Sequence, residues 1–252
     1  MLHNISKYEI KMFLKVDKVL NSHQELEIKV LDEINGLTES KSQEVRFIDT
    51  REKIFSSQGW ILRSRIKAGD NKNEITFKKR YPLHSEVGEM LEKINQEGIN
   101  LDNPNLDVEI DWGFSKKTLS LSWEMKVPLS QSATFSDEEV RKLFADQAPE
   151  EFIHWNQKEW STQLLRQTTV IGPIQARKYK GHWDGEEISL EIWTISSDII
   201  VEISLDIDDD AVASQKHEKL KEYLNRKDLL IEQDFSKTQW AMEQWFKKVI
   251  HA

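Results

Sequence analysis

The stretch GWILRSRI at positions 59–66 decides how this chain is read. Successive side chains of an extended backbone point to opposite faces, so Leu62, Ser64 and Ile66 share one face and Arg63 and Arg65 share the other. An antiparallel sheet often leaves one face to solvent, and charges there need no function. Two guanidinium groups side by side still raise the question of what they hold.

The same period recurs along the chain. KYEIKMF (7–13) sets Lys7, Glu9 and Lys11 against Tyr8, Ile10 and Met12. EITFKKR (74–80) sets Thr76, Lys78 and Arg80 against Ile75 and Phe77, and DVEIDWG (107–113) sets Asp107, Glu109 and Asp111 against Val108, Ile110 and Trp112. LSLSWEMKV (119–127) alternates Glu124 and Lys126 with apolar residues; QARKYKG (175–181) sets Lys178 and Lys180 against Arg177 and Tyr179. EISLEIWTI (187–195) isolates Glu191 from Ile188, Leu190 and Ile192, and IIVEISLDI (199–207) isolates Glu202, Ser204 and Asp206 from Val201, Ile203 and Leu205. With residues 59–67 and QEVRFID (43–49), about nine segments read as strands.

Helical patterns lie between them. HQELEIKVLDEING (23–36) ends in Asn35-Gly36, a C-terminal cap signal. SEVGEMLEKINQEG (85–98) has Val87, Met90, Leu91 and Ile94 at helical spacing, and SDEEVRKLFADQ (136–147) opens with the capping box Ser136–Glu139. Segments 214–227 and 236–250 also read as helices. The pattern predicts an α+β protein with a mostly antiparallel sheet. Five prolines and nine glycines are scattered with no low-complexity linker, which predicts one domain over 1–252 with a helical insertion at about 130–168.

Composition sets the outer bounds. Of 252 residues, 38% are hydrophobic and 31% charged, and nine tryptophans with ten phenylalanines supply a core. No apolar run approaches the ~20 residues needed to span a bilayer, and the first residues have no apolar signal region, so a protein without membrane contact is expected. The absence of cysteine excludes disulfides and thiolate chemistry and fits a cytoplasmic location. A net charge of −9 disfavours general nucleic-acid binding and makes a local basic cluster more informative. The seven histidines have no zinc-ligand spacing, and neither a P-loop nor a G-x-S-x-G elbow occurs.

Nearly every strand candidate carries charge on one face and apolar residues on the other. A sheet closed into a barrel of about eight strands would have room inside for side chains and one small ligand. Lys11, Arg63, Arg65, Lys78, Lys126, Lys178 and Lys180 facing inward would repel one another, by roughly 4 kcal/mol per pair at about 4 Å and an effective dielectric near 20. A polyphosphate would offset them, because Arg suits bidentate phosphate contacts and Lys acts as a point charge. The carboxylates suit Mg²⁺ or Mn²⁺, which take oxygen ligands.

These residues resemble the CYTH domain, the superfamily of triphosphate tunnel metalloenzymes, over nearly the whole chain. Lys7-x-Glu9-x-Lys11 resembles its opening E-x-E-x-K strand, GWILRSR its G-x-x-L-R-x-R, ITFKKR its T-x-K strand, and RFIDT (46–50) its tyrosine–aspartate–threonine strand. VEIDWG, the basic GPIQARKYKG, the closing IIVEISLDI and the lysine-containing FSKTQWAM follow in the family's order. The resemblance implies an eight-stranded tunnel with helices packed outside that binds a triphosphate-bearing small molecule: inorganic triphosphate, thiamine triphosphate or a nucleoside triphosphate. It implies phosphate contacts from Arg63, Arg65, Lys78, Lys126, Lys178 and Lys180, metal contacts from Glu9, Glu109, Asp111, Glu191 and Glu202, and catalysis through Lys11, Glu9 and Glu202. Asp49 and Thr50 read as structural, a strand end before a helix start.

Two positions depart from the family pattern. Lys7 stands where the opening motif has its first glutamate, and Ser204 where the closing motif has its second. Three outcomes stay open: a metal-dependent triphosphatase, a polyphosphate- or nucleotide-binding module that has lost turnover, and an adenylate cyclase. The segment around 128–170, with Trp155 and Trp160, reads as a lid, a partner surface or extra helices on the barrel.

Overall fold

The computed structural model describes residues 5–128 and 136–250. Its strands are β1 (Lys7–Leu14), β2 (Asn35–Thr50), β3 (Trp60–Lys67), β4 (Lys72–Pro82), β5 (Leu106–Trp112), β6 (Lys117–Pro128), β7 (Thr168–Trp183), β8 (Glu186–Ile195), β9 (Asp198–Ile207) and β10 (Leu230–Ile231). Its helices are α1 (Val16–Val19), α2 (Ile54–Ser57), α3 (Val87–Gln96), α4 (Asp137–Asp146), α5 (Glu150–Ile153), α6 (Trp160–Arg166), α7 (Asp210–Arg226) and α8 (Lys237–Ile250).

Nine strands run in the order β1-β5-β6-β4-β3-β2-β7-β8-β9, and β9 returns to β1 to close a barrel. Adjacent strands are antiparallel except β1 and β5, whose pairing of Lys7 with Glu109 and Glu9 with Asp111 is parallel. The strand β10 adds only Leu230 and Ile231, opposite Leu14 and Phe13. All nine period-two segments are therefore strands, and the barrel has nine rather than the eight that the family resemblance implies.

Charge and hydropathy sort to the two faces as the alternation requires. Leu62, Ile75, Phe77, Leu121 and Trp123 face outward and are buried against α3 to α6. Leu190, Ile203 and Leu205 are buried in a second cluster with Leu220, Tyr223 and Leu224 of α7. Phe152 of α5 is the hub of the first cluster: its ring lies 4.9 Å from Trp60, 5.1 Å from Phe55, 5.1 Å from Phe77 and 5.9 Å from Trp160. The described part of the predicted insertion thus packs on the outer wall; positions 129–135 lie outside the described residues. The Ser136–Glu139 capping box is present at the start of α4.

One helix is absent. Segment 23–36 forms only a single 3₁₀ turn, Ile28–Leu31, and Asn35 and Gly36 begin β2. Gly36 does adopt the left-handed conformation expected of a cap, at φ +65, but there the β2–β7 register shifts between Asn35 and Thr38. The glycine serves a strand irregularity, which makes the same backbone demand as a helix end.

The barrel interior is not charged throughout. Along the inward face β1 runs from Glu9 and Lys11 to Phe13, β3 from Arg65 and Arg63 back to Ile61, and β8 from Glu191 to Trp193. Phe13, Phe47 and Trp193 form a third buried cluster with Trp240, Ala241 and Met242 of α8. One end of the barrel is thereby filled by α8, and the polar lining is confined to the rest.

Candidate functional site: a charged tunnel

A cavity of about 300 Å³ occupies the polar part of the barrel. Eight Lys or Arg side chains and seven Asp or Glu side chains line it. The mutual repulsion expected from the basic residues is met mostly by interleaved carboxylates, strand against strand.

On β1, Lys11 Nζ lies 2.6 Å from Glu9 Oε2 and 2.7 Å from Asp111 Oδ1. On β4, Lys78 Nζ lies 2.5 Å from Glu109 Oε1 and 3.1 Å from Asp111 Oδ2, and Arg80 Nη2 lies 3.4 Å from Asp111 Oδ2. Burial would raise the Asp111 carboxyl, but Lys11, Lys78 and Arg80 hold it well below the usual carboxylate range. Burial likewise opposes the charge on Lys11, and Asp111 and Glu9 outweigh it, so this ammonium is held above its usual range. Glu9, Glu109 and Asp111 bring one carboxylate oxygen each within 4.8 Å of one another.

The wall on the other side of β1 is built by β9 and β8. Glu191 and Glu202 face each other directly across that pair, an arrangement that like charges disfavour. Lys237, the first residue of α8, resolves it, with Nζ 2.6 Å from Glu191 Oε2 and 2.5 Å from Glu202 Oε1. Burial would raise Glu191, yet Lys237 and Arg65 hold it far below its usual value. Lys178 is a looser partner, 3.9 Å from Glu191 Oε1.

The arginines of the opening stretch line the tunnel. Arg63 Nη2 donates to Thr76 Oγ1 at 3.1 Å and lies 3.7 Å from Glu124 Oε1. Burial and the adjacent Arg65 push its guanidinium down to about 10, against the pull of Glu124 and Glu74. Arg65 Nη1 lies 3.2 Å from Glu74 Oε1. The Nε atoms of Arg63, Arg65 and Arg80 are buried without a hydrogen-bond partner among the described residues, and the three guanidinium groups line one cavity.

The sequence-predicted residues divide as follows. Glu9, Lys11, Arg63, Arg65, Lys78, Glu109, Lys178, Glu191 and Glu202 line the cavity, and Asp111 borders it through Lys11 and Lys78. Lys126 is exposed and outside the lining, opposite Glu74 in register. Lys180 is also outside, paired with Glu187 at 2.5 Å on the surface. Glu191 and Glu202 do not join the cluster of Glu9, Glu109 and Asp111. Asp49 is structural: buried at the end of β2, it accepts from the backbone N–H groups of Thr50, Phe55 and Ser56. Arg80 and Lys237 are additional site residues. Arg80 was legible as the next residue on the Thr76–Lys78 face, and Lys237 is the lysine of the family-like segment FSKTQWAM, to which no site role was given.

A second cavity of about 670 Å³ adjoins the first at the α8 end. The two share Lys11, Ile61, Arg80, Phe235, Ser236 and Thr238, and Phe13, Phe114 and Met242 give the second an apolar wall.

No protein-family model matches the chain, and no curated relative matches its sequence. Solved structures do. A Hippeastrum protein first named as an adenylyl cyclase, with a dominant triphosphatase activity, superposes at a TM-score of 0.59 over 94% of this chain and 95% of its own, at 15% identity. A Bacillus halodurans protein provisionally named an adenylate cyclase matches at a TM-score of 0.49, 14% identity, and 93% and 97% coverage. A Pyrococcus horikoshii protein gives 0.49, 15%, and 94% and 99%. The chain shares its closed-barrel fold with the Hippeastrum protein, in line with the fold that the CYTH resemblance implies. No helix among the described residues is long and apolar enough to cross a membrane.

Proposed function

We propose that the tunnel binds the triphosphate group of a small molecule and hydrolyses it with the help of a divalent cation. The observation that carries this reading is the convergence of the Arg63, Arg65 and Arg80 guanidinium groups on one cavity. Phosphate oxygens are their natural acceptors, and Lys78 and Lys178 add point charges from neighbouring strands.

Glu9, Glu109 and Asp111 fit a small hard cation: three carboxylate oxygens converge within 4.8 Å, and oxygen donors suit Mg²⁺ or Mn²⁺. Such an ion, when bound, would neutralise charge developing on the phosphates and lower the pKa of a coordinated water. Charge balance favours its presence. The lining is close to neutral, eight cations against seven anions, and a triphosphate carries several negative charges. Lys11, held charged by Asp111 and Glu9, cannot accept a proton; its part is electrostatic. The arginines hold the phosphate chain so that water attacks the terminal phosphorus in line, the bridging P–O bond breaks, and orthophosphate leaves.

The adjoining cavity favours a substrate whose triphosphate carries an organic group over inorganic triphosphate. Its 670 Å³ is the size of a small-molecule site, and its apolar wall meets the charged tunnel at Lys11 and Arg80.

The test is phosphate release from tripolyphosphate, ATP and thiamine triphosphate, with Mg²⁺, Mn²⁺ or chelator, for wild type and Arg63→Ala. Metal-dependent release that falls at least about 100-fold in the variant is expected. Tight triphosphate binding without release would leave a binding module, and cyclic AMP formed from ATP would make the protein a cyclase.

A further inference from the structure

Lys7 pairs with carboxylates of two neighbouring strands, and these surroundings assign it a role. Two carboxylates touch it and a third lies nearby on the same strand. Its Nζ lies 3.2 Å from Asp206 Oδ2 on β9 and 3.4 Å from Glu109 Oε2 on β5. Glu9, two residues along the same strand face, sits directly opposite Asp206 across the β1–β9 pair, a like-charge pairing. In register, Lys7 itself faces Glu109. Without a cation here, Glu109 would keep only Lys78, and no other salt bridge to Asp206 exists among the described residues. On the next polar row, Ser204 lies between Lys11 and Ser189 and offers no carboxylate.

We propose that the Lys7 ammonium is a resident cation, tethered at the Glu109–Asp206 end of the tunnel where a divalent ion would otherwise balance these carboxylates. The tunnel then loads one metal ion fewer than its acidic residues could hold. This rests on the reading of Glu9, Glu109 and Asp111 as a metal-bearing cluster, but it makes a separate claim, about ion count. The geometry suits the substitution. A lysine head is a compact, strongly hydrated charge on a flexible stem, able to sit among several oxygens as a small ion does. It supplies one positive charge where a metal supplies two, and it cannot activate a water. A tunnel with Lys7 therefore keeps its electrostatic balance at this end without a second ion to work with.

The experiment counts bound Mn²⁺ by the loss of the free-ion electron paramagnetic resonance signal, with a non-hydrolysable imidotriphosphate present. Wild type and Lys7→Arg, which keeps the cation, are expected to bind one Mn²⁺ per chain. Lys7→Gln removes the charge and leaves all three carboxylates, and is expected to bind one more; Lys7→Ala repeats the count if the glutamine variant does not fold. An unchanged count in folded Gln or Ala variants overturns the proposal. So does loss of imidotriphosphate affinity at constant Mn²⁺ count, which would make Lys7 a phosphate ligand. If wild type binds no Mn²⁺ and the glutamine variant binds one, the proposal for Lys7 stands and the metal-dependent reading of the wild-type tunnel falls. If the count behaves as expected but no substrate is hydrolysed, only the triphosphatase reading fails.

Discussion

Lys78 and Lys79 are adjacent on β4 and live in opposite worlds. Lys78 points into the tunnel, where its ammonium touches the carboxylates of Glu109 and Asp111. Lys79 points outward and is 5% exposed, with its Nζ 3.9 Å from the ring centre of Trp155 and 4.9 Å from that of Tyr81. Its hydrogen bond goes to the carbonyl of Gln58, and no salt bridge to it exists among the described residues. Burial pushes its ammonium down to about 8, only partly resisted by Glu97. The inner wall compensates buried charge with charge, which an incoming anion or cation can re-pair. The outer shell compensates it with ring faces and a carbonyl, which nothing can exchange. The lining is thus suited to binding and the shell to holding the barrel in shape.

Three substitutions would break or sharpen this contrast. The largest effect is expected from the shell: Phe152→Ala removes the hub ring among Trp60, Phe55, Phe77 and Trp160 and should cost about 3–5 kcal/mol in urea unfolding. A cost below about 1 kcal/mol would mean that the aromatic shell does not hold the barrel. Lys79→Met tests the exposed weakness of that shell. A lysine whose folded pKa is depressed binds fewer protons folded than unfolded, so wild-type stability should rise with pH from about 8 to 10.5. The methionine variant lacks this rise, and the stability difference between the two should move by up to about 3 kcal/mol across that window. Parallel pH dependences would show that Lys79 is not the strained charge described. Glu74→Gln probes the charge pairs that adjoin the lining through Arg65. Burial opposes the Glu74 charge, but hydrogen bonding from Lys67 and the nearby Arg65 lower its carboxyl to about 2. Its contribution is complete above pH 4.5 and is lost as pH falls through 2, so wild type should lose stability over that range and the variant less. After allowance for the partly exposed Lys67, the difference should be about 2 kcal/mol.

The strands were legible because their period is two: one face is apolar in most of the nine segments, and a one-residue slip there would turn the charges outward. The direction of Arg63, Arg65, Lys78 and Glu109 followed from the same rule. What alternation cannot tell is how far along a strand the tunnel extends. Lys126 and Lys180 share the inward face by parity but sit where the strands run past the cavity, so solvent reaches them. Nor can it tell where the interior turns apolar; Phe13, Ile61 and Trp193 are in phase with the charges and yet belong to the plug under α8. Segment 23–36 misled because Asn35-Gly36 reports a left-handed backbone and nothing about which element needs it. Lys237 was marked only as the lysine of FSKTQWAM, and its role was not legible there, because its partners Glu191 and Glu202 are brought to it only by the completed fold.

The closure of the barrel through β1 and β9 sets a schedule for the growing chain. Residues 8–14 are made first but pair with residues 201–207, so β1 lacks its full complement of neighbours until some two hundred residues have been synthesised. Until then the sheet is an open ribbon, with β1 able to dock only on β5 and with unpaired N–H and C=O groups along its free edge. Contacts of such sequence separation must overcome loop-closure entropy before they give anything back, which makes the last joint slow and the half-made ribbon prone to pairing with its own copies. The joint that makes the sheet a barrel is, during synthesis, its open seam.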